Sequence, residues 1–427
     1  MTMDMIWALG ILILMIILIM TDKLAFGAPP LLACLLLVVS GVSTVPQAFA
    51  GFVNSTVIML AGFMVVMAGL QKTRLINNIK TAMMVHLNRG GYKSYMILLV
   101  IVMLGASLAG TGATGYYVLI LSLIASLPYS KKLPTSKLVM PLGFATNHPI
   151  IPVNVALLFG VTVSVLQASG ISQDISMLKF ALVNVVMSLA YLGWSLIAYR
   201  FLPDHAIADV AEGKRSEQSG KVAELPAWQE KCTVGAFFVS VIGMMLMNLL
   251  GDIAYVVPGL AGAFILMIGV LDFKEVRDHM GAPVIIMTAG VIGVADALAG
   301  TGLTAMIGDA VAGVLGTNIS PFLFIMVLAL LTSTCATFTG STMGSVFIFG
   351  PIAIATCTSL GLNPAAAAIA VVISGWNGHY MPIDGMPAMI MGMGKYQLSE
   401  FWIFTIPMYL IRILALCLGA IFIFPMS

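Results

Sequence analysis

From Pro364 to Gly394 the chain reads PAAAAIAVVISGWNGHYMPIDGMPAMIMGMG, an apolar segment long enough to cross a bilayer. Its middle, Ser374 to Gly385, holds glycines, Asn377, His379, Pro382 and Asp384. Proline removes a backbone donor and clashes one turn back, and glycine relaxes the backbone, so a helix breaks here. The freed amides and carbonyls survive at membrane depth only where they line a cavity enclosed by protein. An earlier stretch repeats the pattern. Pro134, Asn147, Pro152 and Asn154 answer to Pro364, Asn377, Pro382 and Asp384. A broken helix that occurs twice points to the central binding site of a transporter.

The surroundings of these breaks are membrane-like throughout. Of 427 residues, 60% are apolar and 8% charged, against about 25% charged in soluble domains. Apolar runs fall at about 5–21, 28–45, 52–71, 94–127, 135–168, 176–200, 233–250, 255–272, 282–299, 318–358, 364–394 and 400–425. Two of them, 94–127 and 318–358, exceed one crossing, and each is interrupted by small residues, at Ala109–Gly115 and at Thr337–Ser345. A long apolar run folded at a Gly/Thr/Ser tip reads as a re-entrant hairpin. The expected fold is therefore all-α and polytopic, an inverted-topology repeat with two re-entrant hairpins and two broken helices.

The first repeat spans 1–200: three spans, an interfacial helix, hairpin 94–127, broken helix 135–168 and span 176–200. The second, 232–427, has the same order, with hairpin 318–358, broken helix 364–394 and span 400–425. Between them lies a polar linker, 201–231. The interfacial helices are expected near Arg74–Gly91 and Gly302–Gly316. With this topology all but Lys179 and Arg412 of the 19 Lys and Arg residues face one side. That side is the cytoplasm, which places the linker inside, both termini outside, and the chain in the inner or plasma membrane. Ala61, Gly62, Leu70, Thr73 and Leu75 also recur as Ala289, Gly290, Leu298, Thr301 and Leu303. An odd number of crossings per half then gives the copies opposite orientation.

Other classes find no support in the residues. A net charge of +2 borne in loops argues against a nucleic-acid partner, and the five scattered cysteines form no CxxC or CxxH metal pattern. No nucleotide-binding motif appears, and no nucleophile or metal constellation suggests an enzyme. No cofactor is expected beyond Na⁺ or H⁺ as coupling ion, and the expected partners are a small anion and the lipid bilayer.

Each hairpin tip ends two half-helices near mid-membrane. Gly110, Thr111 and Thr114 at the first tip, and Gly340, Ser341 and Thr342 at the second, can face an anion where helix N-termini are positive. Close helix packing by small residues is the structural alternative. Asn147 and Asn377 match each other at the breaks, either as oxygen ligands for a coupling cation, together with Thr111 and Ser341, or as braces for the freed backbone. His148 and His379 are candidate proton carriers or neutral rings bonded to backbone. Asp384 is the third candidate carrier, yet its match to Asn154 equally suits an N-cap of the next half-helix. Arg412 lies well inside the last span and faces protein, with its partner left open.

GFVNSTVIMLAGFMVVMAGLQKTRL (51–75), LDFKEVRDHMGAPVIIMTAGVIGVADALAGTGL (271–303), the two tips and MPIDGMP (381–387) together resemble the divalent anion to sodium symporters of the ion transporter superfamily. The resemblance covers nearly the whole chain. It implies carriage of dicarboxylates, citrate or sulfate, with tips and breaks, Pro382 included, binding the anion and flanking sodium ions. It also implies a homodimer that works by an elevator movement. The Ser-Asn-Thr of each family tip is here Ala109-Gly110-Thr111 and Gly340-Ser341-Thr342, without the asparagines. The family's Thr-Pro pair is Met381-Pro382, and a glycine after it is Asp384. A cation/proton antiporter or oxyanion efflux pump of the same superfamily is the alternative, with Asp384 and the histidines as its exchange site.

Overall fold

A computed structural model describes residues 2–20, 24, 27–74, 82–83, 90–110, 114–125, 133–151, 155–171, 175–205, 207, 225–303, 306, 320–339, 342–382 and 385–426. Their regular structure is helical, with no strand among the described residues. The helices are α1 (Met3–Met20), α2 (Ala28–Val39), α3 (Val45–Ala48), α4 (Ser55–Gln71), α5 (Gly91–Ala109), α6 (Thr114–Ala125), α7 (Ser136–Ala145), α8 (Ala156–Ala168) and α9 (Met177–Ala198). After the linker come α10 (Ala227–Met245), α11 (Met247–Leu250), α12 (Asp252–Met267), α13 (Phe273–Met280), α14 (Pro283–Thr301), α15 (Pro321–Thr339), α16 (Thr342–Ser359), α17 (Ala365–Gly375), α18 (Gly385–Gly394) and α19 (Leu398–Ile423).

Among the described residues, five helices are long and apolar enough to cross a membrane: Gly91–Ala109, Met177–Ala198, Pro321–Phe338, Thr342–Ser359 and Leu398–Ile423. The chain is an all-helical, multi-pass membrane protein. Both long apolar runs resolve into paired limbs, α5 with α6 and α15 with α16, which pack against each other. Both expected broken helices are broken, α7 from α8 and α17 from α18. Most of the two expected interfacial segments, and of the linker, lies outside the described residues.

The helices sort into two layers of contacts. One group, α1, α2, α4, α10, α12 and α14, packs mainly among itself. The other joins hairpins to broken helices crosswise. The first hairpin packs on α7 and, through α6, on α18, and the second packs on α17 and, through α16, on α8. Each hairpin thus meets one half-helix from each repeat. Long α9 and α19 pack side by side along this group.

Two buried apolar clusters result. One holds the first hairpin, α7, Met386 and Ile390 of α18, and Phe401, Phe404 and Met408 of α19. The other holds α8, the buried residues of α15–α17, and α19 from Tyr409 onward. The clusters change over where α7 and α17 end, so the breaks form a polar layer between two apolar bodies.

Small residues set the closest approaches. A Cβ on Gly62 would meet the Gly259 nitrogen at 2.4 Å and Pro258 at 2.8 Å, and one on Gly290 would meet Pro30 at 2.7 Å and then Leu31. These two contacts are the same contact shifted by 228 residues, in opposite senses along the chain.

Candidate functional site

The two breaks close with the same local geometry. Asn147 N–H donates to the Phe144 carbonyl at 3.1 Å, and Asn377 N–H donates to the Ser374 carbonyl at 2.9 Å. Each asparagine thus sits one turn past the last helical carbonyls, at the negative end of a half-helix. Both side chains are buried. Asn377 Nδ2 donates back to the Ile373 carbonyl at 2.6 Å, which braces the frayed end.

Each hairpin meets the break of its own repeat. In the first, Ser107 near the end of α5 accepts from the Ile151 N–H at 3.0 Å and donates to the Met103 carbonyl at 2.9 Å. In the second, Thr337 donates to the Ser333 carbonyl at 2.7 Å, and a Cβ on Gly378 would lie 1.9 Å from Thr337 Oγ1. Gly375 is also close-set, against Val346 and Thr342 of α16, where a Cβ would press on the Val346 methyl at 2.6 Å. At Gly378, where the Ser333 backbone carbonyl stands behind Thr337, only glycine admits the second hairpin.

Gly110 ends α5 at φ 94°, in the left-handed region that favours glycine, and is buried. Thr342 opens α16 beside Gly375. Pro382 is half-buried past the second break. Thr111, Gly340, Ser341 and Asp384 lie outside the described residues, as do Pro152 and Asn154.

The strongest electrostatic feature is Arg412, at 0% exposure the bulkiest fully buried side chain among the described residues. Its Nη1 donates to His148 Nε2 at 2.9 Å and its Nη2 to the Asn377 carbonyl at 2.6 Å. One guanidinium thus ties the first break to the second. None of the described carboxylates pairs with it, and its Nε–H has no partner among the described residues. The bonding fixes the state of His148. Nδ1 faces the Phe144 carbonyl at 2.7 Å and must carry the hydrogen, while Nε2 faces a group that only donates. The ring is neutral and its remaining lone pair belongs to Arg412. Tyr191 stacks on it at 3.9 Å between centroids.

His379 sits differently. It is half-buried at φ 44°, strained for a residue with a Cβ, with its ring 6.1 Å from that of Phe144. Its Nδ1 is shielded and unpartnered among the described residues. Beyond it Tyr380 stacks near Tyr409 at 4.6 Å, and the Tyr409 hydroxyl is 2.7 Å from Ser333 Oγ. Hydroxyls from α15, the second break and α19 thereby converge.

The sequence pattern did not single out Ser107, Ser333 or Tyr409, placed Thr337 only at the edge of the second tip, and left the pairing of Arg412 with His148 and Asn377 open. A usable signal was present in the hydroxyl density of Thr332-Ser333-Thr334 and Thr337 within an apolar run. The chemistry on display is a buried polar layer with a fixed cation, two half-helix ends and several hydroxyls, suited to holding small ions.

Comparison with known proteins agrees with a transport role. The family model described as Citrate transporter matches residues 16–342, well over half of the chain, and stops before the second break. YfbS of Escherichia coli (strain K12), an uncharacterized transporter, is 30% identical over 146 residues, covering 33% of this chain and 23% of its own length. Among solved structures, the Alcanivorax borkumensis YdaH transporter, described as having an unusual topology, aligns over 99% of this chain and 98% of its own. Its TM-score is 0.60 at 15% identity. Neisseria gonorrhoeae MtrF, one of a class of antimetabolite efflux pumps, aligns over 100% and 96%, with a TM-score of 0.59 at 13% identity. At these identities the likeness is one of fold.

Proposed function

The chain belongs to the citrate transporter family, within the ion transporter superfamily, and we propose that it is a secondary active transporter for a small anion. The cargo is a di- or tricarboxylate or an inorganic oxyanion, moved by a Na⁺ or H⁺ gradient through an elevator-type movement. The observation that carries this reading is the convergence of both hairpins on both breaks, with Ser107 on Ile151 and Thr337 and Thr342 on Gly378 and Gly375. Backbone freed in this way is the means by which transporters of this kind hold substrate and ion near the midplane. The matching glycine contacts 228 residues apart support an inverted repeat, and a dimer accords with the family resemblance.

In this reading the tips, Gly110-Thr111 and Gly340-Ser341-Thr342, together with Pro382, take the anion. Asn147 and Asn377, with Thr111 and Ser341, shape the cation positions. Of the proton-carrier candidates, His379 and Asp384 are favoured over His148, whose acceptor nitrogen is held by Arg412.

Uptake into proteoliposomes from a panel of labelled di- and tricarboxylates, sulfate, phosphate and arsenate, under separate Na⁺ and H⁺ gradients, tests the proposal. Gradient-driven movement of at least one anion is expected, and loading the lumen instead of the bath reads export as readily as import. Failure of every anion under both gradients and in both directions would overturn it.

A further inference from the structure

We propose that Arg412 is a tethered cation that fills the coupling-cation position at the second break. The ligands already on it make the case. Nη2 bonds the Asn377 carbonyl, two residues past the C-terminal end of α17, where the half-helix dipole is negative. Such half-helix carbonyls are the ligands that a small hard cation takes in broken-helix transporters. Nη1 bonds a second lone pair, His148 Nε2, from the opposite repeat. Both contacts are donor-to-lone-pair contacts of the kind a bound cation makes, and they come from both breaks at once.

The charge is permanent and sealed in. Arginine stays protonated in proteins, and Arg412 has no exposure and no described carboxylate to neutralise it. A buried charge persists in an apolar body only where dipoles and hydrogen bonds compensate it. Here the half-helix end and a neutral imidazole do so. The remaining Nε–H, buried without a described partner, is where the fit is incomplete. An anion-gripping arginine would instead turn its fork toward an open cavity.

The two breaks are not equivalent in this respect. Where the first carries His148, reaching Arg412, the second carries Gly378, with no room for a side chain beside Thr337. The repeats therefore share one fixed cation, and the transporter binds one coupling cation fewer than a symmetric pair of sites would. This rests on reading the breaks as ion positions, and its test needs no substrate.

Equilibrium binding of radiolabelled Na⁺ to purified protein in detergent is compared for wild type, Arg412→Gly, Arg412→Gln and Arg412→Lys. Melting curves are taken in NaCl and in choline chloride of equal ionic strength. Arg412→Gly is expected to bind one Na⁺ more than wild type, and its melting temperature to rise in NaCl by several degrees more than that of wild type. Arg412→Lys, which keeps the charge, gains neither. Should Arg412→Gly not be recovered folded, Arg412→Gln carries the same expectation. Equal Na⁺ stoichiometry in the charge-free variants and wild type would overturn the proposal. So would recovery of folded Arg412→Gly only when Asp384→Asn is added, which shows that the arginine serves as the partner of an ion pair. None of these outcomes depends on whether an anion is transported.

Discussion

Gly378 is the point at which the second hairpin bears on the second break, and Gly378→Ala tests how tightly the two are joined. The new Cβ would sit 1.9 Å from Thr337 Oγ1, 2.8 Å from the Ser333 carbonyl oxygen and 3.2 Å from Thr337 Cβ. Ordinary contact begins at about 3.4 Å, so a separation of more than about 1 Å must be found. The hydroxyl could rotate away, but it would abandon its 2.7 Å bond to Ser333 inside a buried helix, at a cost of about 1 kcal/mol. The Ser333 carbonyl belongs to the backbone of α15 and cannot rotate. Overpacking of this kind costs about 1–3 kcal/mol, so the total is about 2–4 kcal/mol. The expected result is a melting temperature lowered by several degrees and transport reduced more than stability alone explains, because hairpin and break are wedged apart.

A double-mutant cycle supplies the assay. Thr337→Ala removes the closest atom but leaves the carbonyl, so Gly378→Ala with Thr337→Ala should recover about 1–2 kcal/mol of the loss. Gly143→Ala is the control. Its Cβ would meet Ile390 Cδ1 at 2.7 Å, the far end of a flexible side chain, and should cost under about 1 kcal/mol. Additive effects in the cycle, or a Gly378→Ala protein as stable and active as wild type, would refute the contact between hairpin and break.

Further outcomes follow from the same geometry. His148→Leu leaves Arg412 Nη1 without its acceptor and should cost about 1–3 kcal/mol in unfolding measurements, whereas His148→Gln, which offers a carbonyl oxygen, should recover much of it. If uptake is driven by Na⁺, Asn147→Ala should raise the half-saturating Na⁺ concentration, whereas Asn377→Ala, at the break that Arg412 fills, should leave it unchanged; an unchanged value in Asn147→Ala removes that residue from the cation position. If it is driven by H⁺, Asp384→Asn and His379→Gln should flatten the pH profile of uptake, and a retained wild-type profile in both excludes these carriers. In the polar connection, the hydrogen bond from Lys72 holds the Glu275 carboxyl below its usual pKa. A depressed folded-state value means that this pair stabilises above the ordinary carboxylate range and that its contribution fades as the pH falls through it. Because the pair is about one-third exposed, Glu275→Gln should cost no more than about 1 kcal/mol at neutral pH, with the difference vanishing in acid.

Much of the fold is legible in the sequence because lipid leaves few choices. Long apolar runs must be helices, and a cluster of proline, glycine and polar residues inside one favours a break, as between α7 and α8 and between α17 and α18, whereas the lone Pro258, Pro351 and Pro407 stay inside helices. The repeat of Gly62 as Gly290 was visible, and the structure adds what each glycine touches. Contacts across the bundle were not legible. Arg412 lies 264 residues from His148 and 35 from Asn377, and no periodicity in an apolar helix says which way one charge turns. The hydroxyls of α15 were hidden for a related reason. Ser and Thr in apolar helices bond their own backbone whether or not they serve a site, as Thr332, Ser333 and Thr337 do here. Only the packing of Tyr409 and Gly378 against them separates the two roles.

The central claim is that the paired breaks belong to a gradient-driven carrier, and concentrative accumulation is its most direct measurement. For the anion that moves fastest in proteoliposomes, the internal concentration should climb above the external one while the ion gradient stands, then fall back when an ionophore dissipates it. An internal concentration that never exceeds the external one, or an accumulation indifferent to the ionophore, would contradict the account.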